Sequence, residues 1–327
     1  MEAIDGAELG EDFARLAIPT WSLGVHPSLQ QKAAGLRDLL ASRDYKYVIS
    51  SGIRCDLINR LIVPRESRFV IKHEGAFTPY ARGAVITGLV RTGHLAIMLG
   101  ARTIVCVSEH VRQSLPSVLR RKSVVIPNGV DIDYFRPPER DERNRARAQL
   151  GLGEEEKVVV FVGRLDRPKR PGLLIPPVHD LRRRGHKVVL VIAGDGPLKE
   201  RLLAAADLGG VRMLGFQNDV RGLYWAADLF VLPSTHEGMP MAAMEALACG
   251  VPVLLSDIPP HRELLEGCNN AGALFRLEDV AGMTDALSQW LYRPRTSAPR
   301  EAAIRKFSAA TMARRYCALL EGSVREA

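Results

Sequence analysis

Two glutamates, Glu237 and Glu245, are the residues whose types and spacing best suit binding chemistry. They flank the turn Gly238-Met239-Pro240, which predicts a helix from about Met241 to Cys249. Amide N–H groups at a helix start, with the positive end of the helix dipole, form a seat for phosphate. A carboxylate beside that seat suits a ribose or polyol attached to the phosphate. Two glutamates near a helix start are also common in proteins that have no such site.

A basic loop follows a predicted strand in the second half of the chain. Residues Lys157 to Val162 are typical of a buried strand, and Gly163 then begins a loop that carries Arg164 and Lys169. Arginine presents a planar fork to two phosphate oxygens, whereas lysine supplies a compact charge. Together the two side chains could neutralise a diphosphate. The alternative is a solvated turn in which both cations face water.

Two glycine turns follow the next two predicted strands. Gly194 and Gly196 end one strand, and Gly215-Phe216 ends the other. The Gly-x-Gly spacing is similar to the start of a dinucleotide fingerprint, but Lys199 stands where that fingerprint needs its third glycine. An NAD-dependent enzyme is therefore a poor interpretation, and each turn alone is a weak signal.

The first half of the chain offers His73, which follows a predicted strand from Arg68 to Lys72. Histidine can donate or accept a hydrogen bond and titrates near neutral pH. A single histidine at a strand end also serves purely structural hydrogen bonding, so both interpretations stay open.

Composition limits the class of protein. The chain has 327 residues, of which 46% are hydrophobic and 25% charged, and this suits two globular domains. A formal charge of +8 indicates attraction to anions such as nucleotide sugars, nucleic acid or lipid headgroups. Only 6% of residues are aromatic, and no basic run alternates with them, which argues against nucleic acid. Five scattered cysteines without a Cys-x-x-Cys pair argue against disulfides and a zinc site.

Short β-branched runs alternate with longer amphipathic stretches, and this pattern predicts parallel sheets covered by helices. Four predicted strands precede the break near Phe135 to Pro138, and five follow it. The predicted strands are Tyr47 to Ile49, Arg68 to Lys72, Thr103 to Val107, Ser123 to Ile126, Lys157 to Val162, Lys187 to Ala193, Val211 to Leu214, Leu229 to Leu232 and Val251 to Leu255. We therefore predict two Rossmann-like domains with the ligand between them, outside the carboxyl ends of the strands.

Together these segments resemble the retaining glycosyltransferases of family 4, which have the GT-B fold. The resemblance rests on Glu237-x7-Glu245 and on Gly163-Arg164-Leu165-x3-Lys169, with support from the two glycine turns. It covers roughly residues 18 to 321 and is strongest from 158 to 263. It implies an α/β fold with two Rossmann-like parallel-sheet domains that face a central cleft.

The resemblance also implies roles for individual residues. Arg164 and Lys169 grip the donor diphosphate, Glu245 binds the ribose hydroxyls, Glu237 lies near the sugar hydroxyls, and His73 contacts the transferred sugar. No metal and no cofactor are required. The implied catalytic residues are His73, Arg164, Lys169 and Glu237. The implied donor-binding residues are Gly163, Arg164, Lys169, Gly194, Gly196, Gly215, Phe216, Glu237, Gly238, Met239, Pro240, Met241 and Glu245.

The predicted domains are an acceptor-side domain over residues 1–137, shortened at its start, a donor-binding domain over 138–304, and a segment over 305–327 whose helix returns to the first domain. Leu16 to Pro19 looks like a later strand of the first domain. The predicted function is retaining transfer of a hexose-type sugar from a UDP- or GDP-linked donor to a saccharide, lipid-linked or small-molecule hydroxyl acceptor. The alternative is a nucleotide-sugar-binding protein without transferase activity, because the acceptor side is incomplete.

The start of the chain lacks the form of a signal peptide, and no run approaches the ~18 apolar residues that span a bilayer. We therefore predict a cytoplasmic protein. The basic charge leaves open an association with the inner face of an anionic membrane. The apolar stretch Gly83 to Gly100, interrupted by Arg91 and His94, is either an interfacial helix or a core helix.

Overall fold

The computed structural model of the chain describes residues 29–42, 45–63, 68–75, 84–206 and 209–322. The strand predicted at Leu16 to Pro19 lies outside these residues. The described residues form two compact units: one comprises those up to 106 together with 115–124, and the other comprises 107–114 and those from 125 onward. The predicted boundaries at 137 and 304 stay a prediction, as does the cleft.

The first unit is built around a sheet with the strand order β1-β2-β3-β4. The pairs β1–β2 and β2–β3 are parallel. Buried β-branched residues such as Ile71, Ile104 and Val105 form its centre. The strands are β1 (Tyr47–Ser51), β2 (Arg68–His73), β3 (Thr103–Cys106) and β4 (Ser123–Val125). The helices of this unit are α1 (Leu29–Ala41), α2 (Ile53–Ile62), α3 (Ala84–Leu99) and α5 (Ser117–Arg120), α3 being the predicted apolar helix.

The second unit contains a sheet with the order β10-β9-β8-β5-β6-β7, and all five neighbouring pairs are parallel. Its strands are β5 (Lys157–Val162), β6 (Val188–Ala193), β7 (Val211–Gly215), β8 (Leu229–Leu232), β9 (Val253–Ser256) and β10 (Gly272–Phe275). Every residue of β6 is buried, as expected for a central strand covered on both faces. The structure thus confirms an α/β fold with two parallel-sheet domains.

The remaining helices follow in chain order, and the last three come after β10. They are α4 (Glu109–Gln113), α6 (Arg140–Gln149), α7 (Ile175–Arg183) after a 3₁₀ turn (Pro171–Leu174), α8 (Lys199–Ala206), α9 (Arg221–Ala226), α10 (Met241–Ala248), α11 (Pro259–Leu265), α12 (Val280–Leu291), α13 (Ala298–Phe307) and α14 (Ala309–Leu320). The helix predicted from Met241 is therefore present as α10. Ahead of α14, Val130 exchanges backbone hydrogen bonds with Phe307 O and Ala309 N at 2.7 and 2.8 Å.

One strand was missed in the prediction, and the bounds of most of the others differ from the structure by one or two residues. The strand β10 was missed because it is short, begins with Gly272 and carries no β-branched residue. The strand β9 begins at Val253 instead of Val251, since Pro252 has no amide N–H to donate to a ladder. Within the described ranges, no helix is long and apolar enough to cross a membrane.

Candidate functional site

The second sheet reverses its direction of winding between β5 and β8, which are neighbours although they are far apart in sequence. Loops that leave the carboxyl ends of strands at such a switch point form a crevice that commonly binds ligands. The loop after β5 carries Lys169, and the loop after β8 carries Glu237. Lys169 Nζ lies 2.6 Å from Glu237 Oε1, and Thr235 N donates to Pro168 O at 2.8 Å. The structure therefore brings these two predicted residues together.

The carboxylate of Glu237 is held firmly at this crevice. Ser234 Oγ also donates to Glu237 Oε1, at 2.6 Å. The side chain of Glu237 is 7% exposed and that of Lys169 is 25% exposed, so the ion pair is largely shielded from water. Both interactions end on Oε1, and neither uses Oε2. A ligand hydroxyl could therefore donate to Oε2 without breaking the ion pair.

Arg164 belongs to the same loop but faces solvent. Its side chain is 78% exposed, and its Nε lies 3.2 Å from Asp166 Oδ2. The other carboxylate oxygen of Asp166 accepts a hydrogen bond from Lys169 N at 3.1 Å. Asp166 thus shapes the loop that presents both predicted phosphate-binding cations, a role that the sequence did not indicate.

The predicted glycine turns lie side by side at the carboxyl ends of β5, β6 and β7. Gly194 N donates to Gly215 O at 2.8 Å, which joins two of the turns. A Cβ atom on Gly194, where φ is +143°, would lie 1.9 Å from Gly163 O. One on Gly196 would lie 2.6 Å from Leu165 O. Only glycine lets these backbones approach so closely.

Phe216 directly follows these turns, and it is 70% exposed. An exposed aromatic ring beside a glycine turn offers a flat surface to a planar group. The structure therefore places Phe216 at the same edge of the sheet as the turns.

Glu245 lies one turn inside α10, where the fully buried Tyr224 donates its hydroxyl hydrogen to Glu245 Oε2 at 2.8 Å. Burial raises the pKa of Glu245, and the hydrogen bond from Tyr224 opposes this rise. At the helix start, Met241 N donates to Met239 O and Met244 N donates to Pro240 O. These two amides are thus already hydrogen-bonded beside Gly238, and a phosphate would use others.

His73 lies in the first unit, at the carboxyl end of β2. Its ring centroid is 5.7 Å from that of His94, whose Nε2 lies 3.0 Å from Asp56 Oδ2. Asp56 also accepts a hydrogen bond from the buried Ser50 hydroxyl at 2.5 Å. Burial, with the nearby His94 as the second cause, lowers the pKa of His73 from 6.5 to about 4. His73 is therefore neutral at physiological pH.

The sequence interpretation gave no role to several groups around Glu237 and Glu245. Ser234 follows the end of β8, Ser256 ends β9, and His261 lies on α11. A hydroxyl residue at the carboxyl end of each of two neighbouring strands is the signal that could have pointed to the first two. Tyr224 offered no comparable signal, because only the fold shows that its hydroxyl reaches Glu245.

One short motif that the sequence analysis did not consider has a structural role. Asp131 and Asp133 form an Asp-x-Asp triplet, a spacing that occurs in metal sites. Asp131 Oδ1 instead accepts hydrogen bonds from Asp133 N and Tyr134 N, at 2.9 and 3.0 Å, and so closes a turn. In the part of the chain that the structure describes, no group of three His, Cys, Asp or Glu residues could hold a metal ion.

Comparison with known proteins places the second unit in context. Residues 142–307 match the family described as glycosyl transferases group 1. The D-inositol 3-phosphate glycosyltransferase of Corynebacterium jeikeium is 33% identical over 178 residues, which are 50% of this chain and 42% of that protein. A GDP-mannose-dependent alpha-(1-6)-phosphatidylinositol dimannoside mannosyltransferase of Mycobacterium tuberculosis is 33% identical over 182 residues. These residues are 55% of this chain and 47% of that protein. The matches thus span less than half of these relatives.

Solved structures match over more of the chain. Anabaena Alr3699/HepE, in complex with UDP and glucose, has a TM-score of 0.80 and 19% identity, with 98% of this chain and 90% of that chain covered. TarM has a TM-score of 0.71 and 18% identity, with 88% and 58% covered. At these identities the likeness concerns the fold, which is that of the GT-B proteins.

Proposed function

We propose, because this chain belongs to the glycosyl transferases group 1 family, that it transfers a hexose-type sugar from a nucleotide sugar to an acceptor hydroxyl. Within that family we assign it to the retaining enzymes of family 4, with a UDP- or GDP-linked donor and without a metal or cofactor. The acceptor is a saccharide, a lipid-linked glycan or a small molecule.

The observation that carries this proposal is the Lys169–Glu237 pair at the switch point of the second sheet. A cation next to a shielded carboxylate suits a ligand with a diphosphate at one end and hydroxyl groups at the other. In the proposed complex, Lys169 and Arg164 bind the diphosphate and Glu237 Oε2 accepts from a sugar hydroxyl. Glu245 accepts from the ribose.

Charge stabilisation explains how these groups would promote transfer. Breaking the bond between the sugar and the diphosphate increases negative charge on the leaving oxygens. Cations already fixed beside those oxygens stabilise the transition state more than the ground state. Arg164 is exposed and its Nε is paired with Asp166, so its two terminal amino groups would bind the phosphate. His73 would contact the transferred sugar from the first unit as a neutral hydrogen-bonding group.

The names of similar proteins support a nucleotide-linked hexose as the donor. One curated relative is GDP-mannose-dependent, and HepE has been solved with UDP-glucose. Both donors carry a diphosphate, a ribose and a hexose, which are the parts that the proposed site would recognise. The base and the sugar are best resolved by calorimetric titration of UDP, GDP, UDP-glucose and GDP-mannose.

Arg164→Ala tests the role of the exposed cation. The loss of one phosphate contact at the transition state should lower kcat/KM by about 30- to 1,000-fold. Arg167→Ala is a matched control, since Arg167 is an exposed arginine of the same loop with no assigned role. Turnover that is equal in both variants would remove Arg164 from the mechanism.

A binding protein without transferase activity is the alternative. It would give calorimetric binding of the sugar nucleotide but no release of UDP or GDP in the presence of acceptors. Where transfer occurs, proton NMR of the new glycosidic bond distinguishes retention from inversion, and turnover in excess EDTA tests metal independence. Sedimentation with anionic vesicles tests the association with the inner face of a membrane that the basic charge leaves open.

A further inference from the structure

A buried histidine on α11 is the first of a series of hydrogen-bonded residues that ends at Glu237. His261 is fully buried, and its Nδ1 lies 2.7 Å from Ser256 O and 3.1 Å from Ser256 Oγ. The backbone carbonyl can only accept, so Nδ1 carries the hydrogen. This fixes the tautomer of the imidazole, with Nε2 unprotonated.

The series of hydrogen-bonded residues continues from Ser256 to Ser234, in the loop after β8. Because Ser256 Oγ accepts from His261, its own hydrogen is free to be donated, and Ser234 O accepts it at 2.5 Å. The side-chain hydroxyl of the same residue, Ser234, makes a separate hydrogen bond and donates to Glu237 Oε1 at 2.6 Å. The backbone of Ser234 is thus the covalent link between these two hydrogen bonds. Every hydroxyl in this series is fully buried, so water does not compete for these bonds.

We propose that His261, Ser256 and Ser234 are positioning residues for Glu237, and that they hold its Oε2 towards the sugar of the donor. This inference rests on the proposed function, since it presumes that Glu237 meets a sugar hydroxyl. None of the three residues is exposed, so none can touch a substrate. Their effect must therefore pass through the carboxylate.

The donor and acceptor roles in this series of hydrogen bonds do not change near neutral pH. Burial lowers the pKa of His261 from 6.5 to about 4, although the hydrogen bond to the Ser256 backbone and the nearby Glu237 oppose this, and Lys169 lowers the pKa slightly further. A second proton on the ring is thus absent at neutral pH. The same series of donors and acceptors is therefore present at neutral pH.

Paired substitutions separate positioning from packing. In His261→Asn the side-chain amide can donate from the position of Nδ1, whereas His261→Leu fills the space without a donor. Ser256→Ala is a smaller second change, which removes the hydroxyl that links α11 to Ser234. The control is His179→Leu, which makes the same change at a partly exposed histidine on α7, an element that carries none of these residues.

The readout is the preference for a sugar nucleotide over its nucleotide. Calorimetry gives Kd for UDP, GDP, UDP-glucose and GDP-mannose with each variant. We expect His261→Leu and Ser256→Ala to weaken binding of the preferred sugar nucleotide by about fivefold or more and kcat by about tenfold, with the Kd of the nucleotide unchanged. His261→Asn and His179→Leu should have the Kd and kcat values of the wild type. In His261→Asn, the acid limb of the pH profile of kcat should not shift.

The outcomes distinguish this inference from the proposed function. Failure of the folded wild type to bind any of the four compounds overturns both. Binding by the wild type, with the preference for the sugar nucleotide retained in Ser256→Ala and His261→Leu, overturns only the positioning role. The same holds if these variants lose nucleotide and sugar-nucleotide affinity together, because that result indicates a purely structural series.

Discussion

The carboxyl group of Glu245 illustrates a conflict between stability and binding at a single residue. It is buried one turn inside α10, with the Tyr224 hydroxyl as its donor. Burial raises its pKa because the charged form loses hydration. A carboxyl whose folded pKa exceeds its unfolded value stabilises the protein most below the unfolded pKa. That stabilisation is lost as pH rises through the folded pKa, so the charge at pH 7 costs stability.

Glu245→Gln should therefore stabilise the protein at pH 7, because it removes a buried charge and keeps an acceptor for Tyr224. The gain should vanish near pH 4, where Glu245 is protonated. If Glu245 accepts from the ribose, the same variant should bind UDP or GDP about tenfold more weakly. Urea unfolding at both pH values and calorimetry check this. Tyr224→Phe is the opposing control, which should be less stable at pH 7.

At the scale of elements, the strands were predictable because central parallel strands need β-branched residues on both faces. The prediction of β5, with its run of buried valines, matches the structure residue for residue. The edge strand β10 lacks that pattern and was missed. The pairing of Lys169 with Glu237 could not be predicted from the sequence, because it depends on β5 and β8 being neighbours in the sheet. The series from His261 to Glu237 likewise joins residues that only the fold brings together.

The junction between the β5 and β6 loops yields a prediction at this scale. Gly194→Ala would place a methyl group 1.9 Å from Gly163 O at a φ of +143°. The loops must separate to relieve this contact, which should cost about 3 kcal/mol or more. It should also weaken binding of UDP or GDP, because Gly163 begins the loop that carries Arg164. Thermal unfolding and calorimetry measure the two effects.

Gly222 provides the control for this substitution. It lies within α9, and a Cβ atom there would meet nothing within 4 Å. Gly222→Ala should therefore leave nucleotide binding unchanged and stabilise the protein by about 0.5–1 kcal/mol. If the two alanine variants have the same stability and the same affinity for UDP or GDP, the close approach of Gly194 to Gly163 is not needed for folding or for nucleotide binding.

At the scale of the whole molecule, each unit contains a buried histidine that resists protonation. The pKa is lowered from 6.5 to about 4 for His73 in the first unit and for His261 in the second. Asp56, His94 and Glu74 surround His73, and Lys169 and Glu237 lie near His261. Below pH 6.5 the unfolded chain binds protons at both positions, whereas each folded unit excludes them. Stability is thus fully present above pH 6.5 and is lost as pH falls towards 4.

Each histidine should contribute about 3 kcal/mol to this loss, so stability should decline steeply between pH 6.5 and 4. Replacement by a neutral residue should flatten the decline only in the unit concerned. In amide hydrogen exchange at a series of pH values, His73→Asn should reduce the pH dependence of protection in β1 to β4. His261→Asn should reduce it in β5 to β10, so each variant is the control for the other. If either variant leaves the pH dependence of amide protection in its own unit unchanged, carboxyl groups and not the buried imidazole account for the acid unfolding of that unit.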